Sequence, residues 1–243
     1  MNTNTLIHLE NVTKLFPIYT KKQTKKASKH MDGFDGLNVH HYPALKDVSF
    51  SLQQGEWVGI IGRNGSGKST LLKTIAGVHK PEKGKVNIDG AILPFFGPDE
   101  DLHPEGRAQD AVMVKAQQIG LPRDEALKIY ENIIMFSELH GFTSQKIKFL
   151  SSGMKTRLLL GLMLNINADI YLFDEIPSTT DIRFQRKVLT RLQKLKKIDK
   201  TAIIVSHNLD EIRSLCSKTI LMHEGEIVAF DETEKILRMY AKI

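Results

Sequence analysis

Residues 57–70 read Trp-Val-Gly-Ile-Ile-Gly-Arg-Asn-Gly-Ser-Gly-Lys-Ser-Thr: a short apolar run that passes directly into a glycine-rich loop ending in Lys68 and Ser69. Trp57 to Ile61 show no polar alternation, which marks a strand covered on both faces, as in a parallel sheet. Gly62 to Ser69 match G-x-x-x-x-G-K-[ST]. Glycines there let successive backbone N–H groups turn inward on phosphate oxygens, at a helix N-terminus whose partial positive charge adds to the attraction. The pattern expects Lys68 to reach the outer phosphates and Ser69 to ligate Mg²⁺. Gly62, Arg63, Asn64, Gly65, Ser66, Gly67 and Thr70 complete the expected nucleotide contacts.

Two further runs have the same character. Ile170 to Phe173 leads into Asp174-Glu175, and Ala202 to Val205 leads into Ser206-His207. In open α/β sheets ligands bind outside the carboxyl ends of the strands, so the three polar clusters are expected to converge on one site. Asp174 would hold Mg²⁺, Glu175 would polarise an attacking water, and a neutral His207 would hydrogen-bond the terminal phosphate. An isolated acidic pair at a strand end is more often a helix cap. The glycine loop upstream is what turns the reading towards catalysis, with Lys68, Glu175 and His207 as the catalytic set.

Outward from these strands, Lys68 to Val78 reads as a helix, and Phe184, Val188, Leu189, Leu192 and Leu195 form an apolar stripe on a helix otherwise rich in Lys and Arg. Residues 107–164 show no convincing strand and read as helical, with a turn near Gly120 to Arg123. Val48 to Leu52, Val86 to Ile88, Lys218 to Met222 and Glu226 to Phe230 suggest a smaller antiparallel part. The expected fold is α/β: a P-loop NTPase core with a mostly parallel sheet, a small antiparallel β part and an inserted helical subdomain. The chain forms one domain over 1–243, with residues 1–104 and 166–243 as core and 105–165 as the helical subdomain.

Composition agrees with this. The 243 residues carry 34 Lys and Arg against 28 Asp and Glu, a difference of 34 − 28 = +6, with 41% hydrophobic residues. That balance excludes a disordered or collagen-like chain and leans towards anionic partners. The one cysteine, Cys216, rules out an internal disulfide and, with no C-x-x-C spacing, a structural zinc site. No apolar run reaches the roughly 18 residues of a membrane span, and residues 1–16 have no leader-like pattern. A protein of the reducing cytosol is expected.

Leu150-Ser151-Ser152-Gly153-Met154 precedes an apolar helix. It reads equally as a serine N-cap and as a second anion site at a helix N-terminus. In order, the glycine loop, this segment, Asp174-Glu175, Asp181 and His207 resemble the ATP-binding subunit of ABC transporters, whose signature sequence Leu150 to Met154 matches. "LSSGMKTRL", "FSELHGF" and "VSHNLDEIRSLCSK" are most similar to ATPases that export cell-surface polysaccharides, among them teichoic acid, capsule and O-antigen. The resemblance covers nearly the whole chain. It implies ATP and Mg²⁺ as ligands, a head-to-tail homodimer formed on ATP binding, and Ser151, Gly153 and Asp181 acting on the partner's nucleotide. It also implies separate membrane-spanning permease subunits and a peripheral position on the cytoplasmic face of the cell membrane. An aromatic side chain is expected to stack on adenine; Phe16 and Tyr19 both lie in the segment concerned, with Tyr19 preferred.

Two departures from the family pattern stand out. Residues 91–101 contain none of the glutamine often found there, and residues 176–181 differ from the exporters' usual small-residue run. Residues 20–41 look like an insertion bearing Lys21, Lys22, Lys25, Lys26 and Lys29. This basic run is either a solvated loop or a contact for anionic lipid headgroups or an anionic lipid-linked glycan. A soluble ABC ATPase acting on nucleic acid is the first rival reading; it usually needs two cassettes or a long coiled-coil insertion, so no nucleic-acid partner is expected. A nucleotide-sensing scaffold that binds ATP but hydrolyses it poorly is the second, opposed by Glu175 and His207.

Overall fold

The computed structural model describes residues 5–21, 37–177 and 181–242. Its centre is a six-stranded sheet in the order β5-β6-β7-β3-β8-β9. These strands are β3 (Trp57–Ile61), β5 (Ile92–Phe95), β6 (Ile170–Asp174), β7 (Thr201–Val205), β8 (Lys218–His223) and β9 (Glu226–Glu232). All neighbours pair in parallel except β9, which returns antiparallel to β8.

The apolar runs are continuous because alternate residues serve different cores. Trp57 and Ile61, Tyr171 and Phe173, and Ala202 and Ile204 pack into one hydrophobic cluster. Val58 and Ile60, Ile170 and Leu172, and Ile203 and Val205 pack into the other, across the sheet. Burying each large side chain contributes about 1.5–3 kcal/mol, so both faces must be covered. Helices α5 (Ser152–Asn165), α6 (Ile182–Lys197) and α7 (Leu209–Leu215) supply the first cluster. Helix α1 (Lys68–Ile75) covers the other face with a three-stranded antiparallel sheet, β2-β1-β4, of β1 (Thr5–Lys21), β2 (Leu37–Gln53) and β4 (Lys83–Ile88).

Between β5 and β6 lie α2 (Pro98–Asp101), α3 (Ala108–Gln118), α4 (Arg123–Ser137) and two 3₁₀ turns, His140–Phe142 and Ile147–Phe149, ahead of α5. The last element is α8 (Thr233–Tyr240). A buried ion pair ties α2 to α3: Lys115 Nζ lies 2.6 Å from Asp101 Oδ1, with side chains only 2% and 5% exposed. Lys115 Nζ also donates to the Pro94 carbonyl at 2.7 Å, and Asp101 Oδ2 accepts from the Phe96 and Gly97 N–H groups. Thus the segment leaving β5, which holds no glutamine, is fixed by carboxylate and ammonium.

Several expectations need correction. Lys218–His223 and Glu226–Glu232 do not join the small antiparallel sheet; β8 pairs with β3, so this hairpin forms one edge of the main sheet. Strand β5 escaped notice because Ile92–Phe95 is four residues long and contains Pro94. The segment 20–41, expected as an insertion, is flanked by ribbon: β1 and β2 pair without a slip from Leu15 opposite Pro43 to Lys21 opposite Leu37. Lys22, Lys25, Lys26 and Lys29 lie outside the described residues. On α6 the stripe holds for Phe184, Val188, Leu192 and Leu195, whereas Leu189 is 47% exposed.

Candidate active site

Three adjacent strands, β6, β7 and β3, deliver the polar clusters to one end of the sheet. There a cleft of about 400 Å³ is lined by Asn64, Gly65, Gly67, Lys68, Ser69, Thr70, Asp174, Glu175 and His207. The loop owes its shape to glycines at two close approaches. Gly62 has φ 151° and Gly67 φ 101°; a Cβ would stand 2.3 Å from the Met222 carbonyl oxygen at the first and 2.6 Å from that of Ala44 at the second. No L side chain satisfies both the dihedral and the space. Ser66 sits behind the loop: its carbonyl accepts from Gly225 N–H at 3.0 Å, and its buried hydroxyl has no hydrogen-bond partner among the described residues.

Lys68 is buried, and its Nζ donates to the carbonyls of Gly62 at 2.8 Å and Arg63 at 3.0 Å. Burial pushes its pKa down, while the carboxylates of Asp174 and Glu175 work in the opposite direction. Asp174 is raised, first by burial and further by Glu175; the hydrogen bond from the Ser69 hydroxyl opposes the rise. Ser69 and Asp174 therefore present neighbouring oxygens at the start of α1 and the end of β6.

Glu175 leaves β6 with φ 68°, in the left-handed region, and its N–H donates to the Val205 carbonyl at 2.9 Å. This turn aims its side chain into the cleft, where Oε1 lies 3.5 Å from Nε2 of His207. The two side chains are 59% and 53% exposed, respectively, open to a ligand and to water.

Phe16 lines the same cleft and Tyr19 does not. Tyr19 is 59% exposed, three residues further out on the ribbon opposite Val39. The second aromatic residue at the cleft is Tyr42, which sequence reasoning missed. It is the cross-strand partner of Phe16, a relation visible only once the register of β1 and β2 is known. The Phe16 ring is held edge-on by His79 at 5.2 Å between centroids, with Lys14 Nζ 5.3 Å from its centroid.

Ser151, Gly153 and Asp181 gather elsewhere, in a second cavity of about 530 Å³. Ser151 caps α5, its hydroxyl accepting from Met154 N–H at 3.2 Å. Asp181 caps α6, accepting from Arg183 and Phe184 N–H groups. Arg157, in the second turn of α5, links the start of α6 to the end of α4, with one guanidinium nitrogen 2.5 Å from Asp181 Oδ2 and the other 2.6 Å from Glu138 Oε2. Within one chain these residues line a different cavity from the phosphate loop.

The family model described as ABC transporter matches residues 45–178, more than half of the chain. The chain belongs to the ABC transporter family. It is 35% identical over 237 residues to the teichoic acids export ATP-binding protein TagH of Bacillus cereus, covering 98% of this chain and 42% of that relative. It is 34% identical over 238 residues to the O-antigen export system ATP-binding protein RfbB of Klebsiella pneumoniae, covering 97% of each. Among solved structures, the ATP-binding cassette MJ0796, in a dimeric post-hydrolysis state bound to ADP and Pi, superposes with a TM-score of 0.74. It is 25% identical, with 94% of this chain and 99% of that chain covered. The chain thus spans less than half the length of the teichoic acid relative and nearly all of the O-antigen relative.

Proposed function

We propose that this chain is the ATP-hydrolysing subunit of an exporter that moves a lipid-linked cell-surface polysaccharide or teichoic acid across the cytoplasmic membrane. The observation that carries the reading is the gathering of Lys68, Ser69, Asp174, Glu175 and His207 in one cleft at the ends of three adjacent strands. The names of the two export relatives support the substrate class.

In this reading the N–H groups of the loop and the Lys68 ammonium bind the phosphates of ATP, and the base lies against Phe16 and Tyr42. The hard oxygens of Ser69 and Asp174 suit Mg²⁺. Among the described residues no cluster of three metal-ligating side chains exists to hold the ion alone, so phosphate and water would complete its shell. When bound there, Mg²⁺ offsets charge on the phosphates. The Glu175 carboxylate orients and polarises the attacking water, and His207 donates to the terminal phosphate. Since Ser151, Gly153 and Asp181 face a separate cavity, they serve a partner's nucleotide in a head-to-tail dimer, for which the dimeric MJ0796 is the structural parallel. No helix among the described residues is long and apolar enough to cross a membrane. The transport path therefore belongs to permease subunits, with this chain docked on the cytoplasmic face. The basic run from Lys21 to Lys29 suits anionic headgroups or an anionic glycan, at about 1 kcal/mol per lysine near the surface.

The test is capture of Glu175→Gln, with MgATP, from detergent-solubilised source membranes. A multi-span partner carrying a lipid-linked glycan is the expected result. Recovery from the soluble fraction without a membrane partner would replace the transport reading with that of a soluble ABC ATPase.

A further inference from the structure

His207 is an exposed residue in a tightly tied turn. The residue before it, Ser206, is buried, and its hydroxyl donates to Glu211 Oε2 at 2.6 Å. The residue after it, Asn208, donates its N–H to that same Ser206 oxygen at 3.0 Å. Asn208 Oδ1 in turn accepts from the N–H groups of Asp210 and Glu211, capping α7. The knot closes on Glu211, whose carboxylate takes no direct part in the proposed chemistry.

Glu211 has a firm seat. Its neighbour Ile212 is fully buried against Gly59 of β3, where an added Cβ would stand 2.7 Å from Ile212 Cγ2. The strand that leads into the phosphate loop thus fixes α7. Burial pushes the Glu211 carboxyl pKa up, the Ser206 hydrogen bond opposes this, and the Glu175 charge adds to the rise.

We propose that Glu211 is a positioning residue for His207: by accepting the Ser206 hydroxyl it locks the turn that holds the imidazole across the cleft from Glu175. The kinetic part of this claim rests on the ATPase reading above; the structural part does not. A loosened turn displaces the imidazole, and misplacement by about 1 Å costs on the order of a hundredfold in rate.

The experiment uses the full chain with Glu211→Ala, Glu211→Gln, Ser206→Ala and His207→Ala, alone and in combination. Steady-state phosphate release is measured together with ring ¹H–¹³C NMR of histidine-labelled protein without nucleotide. Glu211→Ala and Ser206→Ala should each lower kcat about tenfold or more while KM for MgATP stays within about twofold. Glu211→Gln, whose amide oxygen still accepts the hydroxyl, should keep kcat within about threefold of the unaltered protein. Adding Glu211→Ala to His207→Ala should cause no further loss, because Glu211 acts through the imidazole. The His207 ring signal should move in Glu211→Ala and stay in place in Glu211→Gln. Equal losses in the Ala and Gln variants, a rise in KM alone, additivity with His207→Ala, or an unmoved ring signal in Glu211→Ala would each overturn the proposal. If Glu211→Ala does not fold, Ser206→Ala decides by the same criteria. An unaltered protein that releases no phosphate would defeat the ATPase reading, and the NMR comparison would still decide whether Glu211 holds the turn.

Discussion

The two cavities are built on different principles. In the phosphate-loop cleft, Asp174 is the last residue of its strand, and Glu175, Ser206 and His207 follow within two residues of a strand end. These strands are buried and locked by parallel pairing on both sides, so position comes from backbone. In the second cavity Ser151, Gly153 and Asp181 sit at the starts of α5 and α6, and side chains centred on Arg157 tie Asp181 to Glu138 at the end of α4. The cleft concentrates charge: one ammonium, two carboxylates and an imidazole. The other sets its charges in ion pairs, Arg157 with Glu138 and Asp181, beside the Ser151 hydroxyl and an open glycine. In the proposed function, chemistry falls where paired strands fix position, and the partner's nucleotide meets groups fixed by side-chain contacts.

The sharpest way to break this contrast is to damage each cavity in turn. Lys68→Ala should lower phosphate release about a hundred- to a thousandfold and weaken nucleotide binding to the dilute protein as well. Gly153→Arg should lower release comparably while leaving binding to the dilute protein intact. An added Cβ at 153 meets nothing within 4 Å in the single chain, so melting should change little. Fluorescent-nucleotide titration at nanomolar protein distinguishes the two. Lost affinity in Gly153→Arg would mean that the second cavity acts within its own chain.

The Asp101–Lys115 pair ties α2, just beyond the end of β5, to α3, away from both cavities. Asp101→Ala leaves a buried ammonium unpaired and should lower stability by about 3–5 kcal/mol, read as a shift in the urea midpoint. Replacing the pair together, with Asp101→Leu and Lys115→Met, should restore only part of that loss, because the Phe96 and Gly97 N–H groups lose their acceptor. A smaller effect separates the aromatic residues. Phe16→Ala and Tyr42→Ala should raise KM for ATP about three- to tenfold, whereas Tyr19→Ala should leave it unchanged; a reversed ranking would return the base to Tyr19. The smallest effect belongs to the buried Cys216, its thiol pushed up to about 12 by burial. It should resist thiol reagents at pH 8 until urea is added. Above about pH 9 the unfolded thiol ionises and the folded one keeps its proton, so stability should fall with rising pH, less steeply in Cys216→Ala.

The cleft was readable from sequence because each of its strands must be apolar on both faces and ends in polar residues. Most of its residues fall in two short runs, Asn64 to Thr70 and Asp174-Glu175, where order along the chain stands in for order in space. Tyr42 and the Glu211 knot were not readable in this way. Tyr42 depends on a register that slips at several points between Thr5 and Leu15, and Glu211 depends on where Ile212 seats α7. The β8–β9 hairpin was misplaced because local alternation reveals a hairpin and says nothing of which sheet it joins. Leu189 followed the helical period and still faces outward, since α6 buries a narrower stripe than its apolar residues could cover.

Glu175 holds a left-handed backbone that glycine adopts freely and that other L-residues adopt at a cost of about 1–2 kcal/mol. A laboratory selection for heat resistance alone should therefore favour glycine at 175, gaining a sturdier molecule that can no longer turn over ATP. If Glu175 orients the attacking water as proposed, durability and turnover compete at this one position, and screens for hardier variants should score activity alongside survival.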